Sequence, residues 1–118
     1  MALVTALAVG VGGVGGAIAR HAVGERLEAR VLDTVVVNVV GSFLLGVVIS
    51  APVADPTRLA AGAGFCGAFT TFSSFAVDTV RLAEDGLRAL AGWVAVGTLA
   101  LAVLAVLFGL TVGGSIPG

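Results

Sequence analysis

Residues 64–75 read GFCGAFTTFSSF and put two glycines, four phenylalanines and four hydroxyls within one helix length. Gly62, Gly64 and Gly67 weaken helix continuity there. Thr70, Thr71, Ser73 and Ser74 can hydrogen-bond back to the main chain and compete with its helical bonds. The composition predicts a helix break near Gly67–Thr70. A break of this kind exposes two helix ends: freed carbonyls favour a cation, and freed N–H groups favour an anion. Phe69, Phe72 and Phe75 then recur every three residues. They form either a packing face or a set of positive ring edges that attract an anion weakly enough to let it leave. Thr71 and Ser73 stand beside the rings and can donate to the same ion.

A second polar set lies upstream. Stepping by four gives Thr34, Asn38, Ser42, Gly46 and Ser50, which share one helix face. Polar side chains inside an apolar helix are expensive and must find partners or water. Interhelical hydrogen bonding and the wall of a polar pathway are both open readings. Cys66 is the sole cysteine, which excludes an intramolecular disulfide and a cysteine metal cluster. It reads as a small packing residue.

The elements that must position these groups cross a membrane. Of 118 residues, 58% are hydrophobic and 11% charged, whereas a soluble domain carries roughly 25% charged residues. A crossing helix needs about 20 mostly apolar residues. Four stretches qualify, at about 2–20, 32–51, 56–80 and 87–112, so the chain reads as one all-α unit of four spans embedded in a lipid bilayer. The GGSIPG tail reads as frayed. A net charge of −1 and the lack of a basic block give no support for nucleic-acid binding.

Two motifs in the first span are decoys. GVGGVG at 10–15 has the spacing of a dinucleotide loop, with Asp33 downstream, but no strand or soluble βαβ unit surrounds it. AIA at 17–19 resembles a signal-peptidase site, but no Lys or Arg precedes the apolar run. Close packing suits the first span better, because Gly12 and Gly16, and Gly13 and Ala17, repeat small residues four apart.

Taken together, GGVGGAIAR at 12–20, VNVVGSFLLG at 37–46 and GFCGAFTTFSSF at 64–75 resemble the signatures of the Fluc (CrcB) family of fluoride channels. The resemblance covers all four spans in order. It implies a multi-pass protein of the bacterial inner cell membrane that exports fluoride passively and is not an enzyme. It also implies an antiparallel dimer with two pores and a broken third helix. Asn38 matches the pore-lining asparagine, and Phe72 and Phe75 match the two fluoride-contacting phenylalanines, with Ser73 beside them. Gly67 and Thr70 match the positions whose main-chain carbonyls hold a structural sodium ion at the dimer interface. Arg20 matches the arginine that ends the first signature, although an arginine there can also simply snorkel to the interface.

The match has departures. Asp78 stands where family members often carry Glu. In the fourth span Trp93 is followed by Gly97 and Leu101 at four-residue steps, where the family tends to place a hydroxyl after an aromatic residue. Thr98 is adjacent to Gly97 but turned about 100° from it. Arg20, Arg26, Arg30, Arg81 and Arg88 flank the first and third loops, and Arg58 alone flanks the second. By the positive-inside rule this bias places loops one and three in the cytoplasm. It favours pairing with a homologous, oppositely oriented subunit over a homodimer. A small multidrug-type transporter of similar size is disfavoured, because such transport calls for an ionisable residue within the membrane and the first span has no acidic one. A non-conducting assembly subunit draws support only from the fourth-span departure.

Overall fold

In hydrocarbon a main chain can satisfy its polar groups only within a helix or a closed barrel, and this chain uses helices. The computed structural model describes residues 2–27 and 30–118. Helix α1 spans Ala2–Arg26 and α2 spans Arg30–Ser50. The third span runs from Asp55 to Glu84 in pieces: α3 (Asp55–Leu59), a π-helical segment (Ala60–Cys66), α4 (Gly67–Phe69) and α5 (Phe72–Glu84). Helix α6 spans Arg88–Gly114. Four of these stretches are long and apolar enough to cross a membrane, and the molecule is 50 Å long, enough to traverse a hydrocarbon core of about 30 Å.

Helix ends follow from local chemistry. Helix α1 continues past Arg20 to Arg26, a cation in the last turn that suits the negative end of the helix dipole. Helix α2 stops before Pro52, and Arg58 of α3 reaches back to its end, donating to the Val48 carbonyl at 3.3 Å and the Ala51 carbonyl at 2.9 Å. The lone arginine of the second loop therefore caps a helix C-terminus. Gly86, with φ +83°, closes α5. Gly86 N–H donates to the Ala83 carbonyl at 3.2 Å and Leu87 N–H to the Leu82 carbonyl at 2.9 Å, the paired bonds of a glycine-terminated helix.

Two glycine seams set the packing. Helix α1 lies along the first half of the third span. A Cβ on Gly12 would overlap the Ala60 carbonyl, one on Gly16 the Phe65 carbonyl, and one on Gly64 would crowd the Val9 carbonyl. At Gly13 the nearest atom to such a Cβ would be the Gly64 carbonyl oxygen at 3.8 Å, an ordinary contact. Helix α2 packs along α6 through Gly46, Gly109 and Gly113, each of which meets the facing main chain where a side chain would stand. Without a hydrophobic driving force in lipid, close backbone approach of this kind supplies the dispersion that holds helices together. Gly113 is buried in this seam, and α6 is helical through Gly114. The first glycine of the predicted frayed tail is therefore packed against α2, and the second continues the helix.

The break lies slightly later than the glycines indicate. Gly67 is helical, with φ −60° and ψ −39°. The extended residues are Thr70 (φ −86°, ψ 163°) and Thr71 (φ −150°, ψ 120°). The glycines instead accompany the wide π-helical turns between 60 and 66 and the contact with α1.

Candidate functional site

At the break, Asn38 of α2 meets Thr71. Thr71 N–H donates to Asn38 Oδ1 at 2.8 Å, and Asn38 Nδ2 donates to the Thr71 carbonyl at 3.0 Å. The side-chain amide thus replaces the neighbouring peptide group that an extended residue would have in a sheet. One consequence falls on Gly67. Thr71 N–H is the donor that would close a helical turn onto the Gly67 carbonyl, and it is directed to Asn38 instead. Thr70 stays tied to the first half-helix, with its N–H and its Oγ1 donating to the Cys66 carbonyl at 3.0 and 2.9 Å.

The second half-helix begins with its own cap. Thr71 Oγ1 accepts from Ser74 N–H at 3.2 Å and lies 3.4 Å from Ser73 Oγ. Other first-turn N–H groups of α5 have no acceptor within the helix, and they carry its positive end. The rings of Phe72 and Phe75 stand at this helix start, with centroids 6.1 Å apart and planes tilted by 44°. Phe72 is 79% exposed. Phe69 does not join them. It is buried and stacks on Phe65 at 5.6 Å. The three-residue spacing of the phenylalanines is thus divided by the break into one packing ring and two rings at the helix start.

A cavity of about 810 Å³ collects most of these groups. Asn38 and Ser42 of α2, Gly67, Thr70, Thr71, Phe72 and Phe75 all line it. Ser73 is exposed on the first turn of α5 and is not part of the lining. Cys66 is buried and borders the cavity. The polar stripe of α2 is shared out among several partners. Thr34 Oγ1 donates to the buried Asp78 carboxylate at 2.9 Å, Asn38 holds the break, Ser42 faces the cavity, and Ser50 Oγ donates back to the Gly46 carbonyl at 2.8 Å. Arg20, six residues before the end of α1, donates from Nη2 to Ser74 Oγ at 3.2 Å.

The fourth span corrects the sequence reading. The face of α6 that meets the cavity carries Ala95, Thr98, Leu99 and Ala102. Gly97 and Leu101, the positions that placed this wall in doubt, lie off that face. Thr98 is buried, and among the described residues its hydroxyl has no hydrogen-bond partner. The register of a lone helix could not be fixed from Trp93, which is 76% exposed. The available signal was Thr98 itself, the only hydroxyl between Trp93 and Leu110.

Among the described residues no group of three or more His, Cys, Asp or Glu could hold a metal ion. A cation at the break would therefore rely on main-chain and hydroxyl oxygens. Gly67 and Thr70 fit that role, since both border the cavity and the donor aimed at the Gly67 carbonyl is diverted. Hard cations accept such oxygen ligands.

Comparison with known proteins bears on the chain as a whole. The family model described as "CrcB-like protein, Camphor Resistance (CrcB)" matches residues 7–110. A protein of Natronomonas pharaonis named fluoride-specific ion channel FluC 2 is 59% identical over 116 residues, which cover 98% of this chain and all of the relative. A Haloarcula marismortui protein of the same name is 46% identical over 90% of this chain and 91% of its own. The Acidobacterium capsulatum fluoride-specific ion channel FluC is 40% identical over 92% and 94%.

The Asn38–Thr71 pairing generates a stability test. Asn38→Leu leaves the part-buried Thr71 N–H and carbonyl without their partner, at about 1 kcal/mol for each bond. The expected outcome is a clear fall in the denaturation midpoint of the purified protein. Gly10→Ala, with nothing within 4 Å of the added methyl, should hold or slightly raise the midpoint, since alanine favours the helix over glycine. An Asn38→Leu protein as stable as the parent would show that the break does not depend on this amide.

Proposed function

The chain belongs to the CrcB-like family, and on that premise we propose that it is a fluoride-specific ion channel subunit that lets fluoride leave the cell passively. The relatives' names support the ion, and four apolar helices support a multi-pass membrane protein. The observation that carries the reading is the start of α5. There a capped helix N-terminus, two phenylalanine rings and the Asn38 amide meet at one cavity. An anion in this cavity meets N–H groups and ring quadrupoles, while the nearest full positive charge, Arg20 on Ser74, does not line it. It is held without being trapped, as conduction requires.

In this reading Asn38, Ser42, Thr71, Phe72 and Phe75 line the fluoride path, and Thr98 adds a hydroxyl from α6. Ser73 joins them from the first turn of α5. The protein resides in the inner cell membrane and works as an antiparallel dimer. Main-chain carbonyls of Gly67 and Thr70 hold a structural sodium ion at the dimer interface. Phe72 supports the dimer, because a ring 79% exposed beside an open cavity is suited to a partner subunit. With Arg20 turned toward Ser74, the arginine count is four at the first and third loops against Arg58 at the second. That bias supports a fixed orientation and hence a homologous partner inserted the other way.

Three measurements test these assignments. Phe75→Ile keeps an apolar body and removes the ring edge. Fluoride efflux from liposomes should drop at least about tenfold, equivalent to ~1.4 kcal/mol in a barrier; full flux from a folded Phe75→Ile dimer would return the ring to packing. For the cation, exhaustive replacement of sodium by N-methylglucamine should abolish flux, and readdition of sodium should restore it. Flux indifferent to that exchange would remove the ion. For orientation, cysteines introduced at Thr57 and Glu84 in a Cys66→Ala background are probed with an impermeant thiol reagent in cells. Labelling confined to position 57 is expected, while comparable labelling at both positions would mean dual insertion and a homodimer.

A further inference from the structure

A second cavity, of about 420 Å³, lies between the ends of α1 and α2 and reaches Ala68 in α4, beside the break. Three charged side chains border it, Arg20 and Glu25 on α1 and Asp33 on α2, and of these Arg20 and Asp33 are the inner two. Arg20 Nε and Asp33 Oδ1 are both buried and, among the described residues, both lack a hydrogen-bond partner. They make no ion pair with each other. Gly24 leaves room for the carboxylate, whose Oδ2 lies 3.4 Å from the place a Cβ there would take. His21 and Glu25 stand at the rim, 3.4 Å apart and largely exposed, so water screens them.

The Arg20 and Asp33 side chains are each half-exposed, but the one buried and unpartnered polar atom of each is costly to leave without a partner. A polar cavity of this size admits water, which satisfies both groups. The cavity is then a hydrated vestibule with two inner fixed charges of opposite sign. Arg20 also touches the permeation side, because its Nη2 bonds Ser74 and Ser74 N–H bonds the Thr71 cap.

We propose that Asp33 is a specificity-setting residue of this vestibule: its carboxylate offsets the Arg20 guanidinium, so that a small anion passes toward the break without accumulating there. The proposal rests on the channel reading above. An uncompensated guanidinium in a cleft with low-dielectric walls raises the local anion concentration. It would also lengthen the stay of larger anions that compete for the entrance. With Asp33 present the two fields nearly cancel beyond the vestibule, and entry depends little on ionic strength.

The test is fluoride flux in liposomes at low fluoride and low ionic strength. Asp33→Asn should raise the flux at least about threefold, and the gain should vanish in ~1 M impermeant salt, where charges are screened within about 3 Å. It should also confer block by thiocyanate added at the vestibule side, and Asp33→Glu should behave as the parent. Unchanged or reduced flux from a folded Asp33→Asn channel, with no thiocyanate block, overturns the proposal. Absence of flux from the parent protein would instead overturn the channel reading. Should Asp33→Asn not fold, the parent decides alone: flux nearly independent of ionic strength supports the offset, and flux that falls steeply with salt overturns it.

Discussion

One hydrogen-bonded pair, the Asn38 amide on the Thr71 main chain, makes the rest of this structure possible. A broken helix at membrane depth leaves peptide groups that hydrocarbon cannot satisfy. Thr71 is the residue at which the third span is fully extended, and both of its main-chain groups are met by a single side chain. Asparagine suits the position because a carboxamide presents an acceptor oxygen and an N–H donor on the same side, and so can bond the N–H and the carbonyl of one residue together. Aspartate would lack the donor and bring a charge, and leucine would offer neither group. The pairing also has a direction. By taking the Thr71 N–H it deprives the Gly67 carbonyl of its helical donor, and by fixing Thr71 it presents the hydroxyl that caps α5. The carbonyl-rich side and the N–H-rich side of the break are therefore products of one contact.

That contact needs α2 and the third span to approach closely and stay in register. Gly41 of α2 supplies the closeness, since a Cβ there would overlap the Thr70 side chain, and the two glycine seams hold each of these helices to its other neighbour. Helix α1 holds the π-helical segment through Gly12, Gly16 and Gly64, and α6 holds α2 through Gly46, Gly109 and Gly113. The break is thus placed between two pairs of helices whose main chains are nearly in contact. The π-helical turns belong to the same design. Seven residues of wider helix ahead of the break change how far, and toward which side, the following residues are rotated. They bring Gly67 and Thr70 to the cavity while Phe69 stays in the packing.

How much of this the sequence carried differs by element. The four spans were legible because apolar length is a one-dimensional signal. The break was legible in kind, since clustered glycines and hydroxyls weaken a helix whatever surrounds them. Its position was displaced toward Gly67 because glycine marks two things alike, conformational freedom and close approach, and here Gly64 serves approach. The role of Asn38 as the partner of Thr71 was not legible. A polar stripe gives a face and no partner. Thr98 was set aside because the register of α6 depends on its seam with α2, through Gly109 and Gly113, which the sequence reading had not identified. Arg20 and Asp33 were visible as charges, but their common cavity depends on how α1 and α2 end.

The exposed side of the 810 Å³ cavity completes the physical argument. The Gly67 carbonyl, left without its helical donor, and the unpartnered Thr98 hydroxyl border this space. Hydrocarbon entering it would leave those groups in an apolar medium, where unsatisfied polar atoms cost several kcal/mol each. Protein or water must occupy it instead. A second subunit, as proposed above, would supply protein surface there, with water retained only within the enclosed part. Phe72, an aromatic ring left bare on the subunit, stands at the cavity's edge, where in that proposed dimer it would close against the partner.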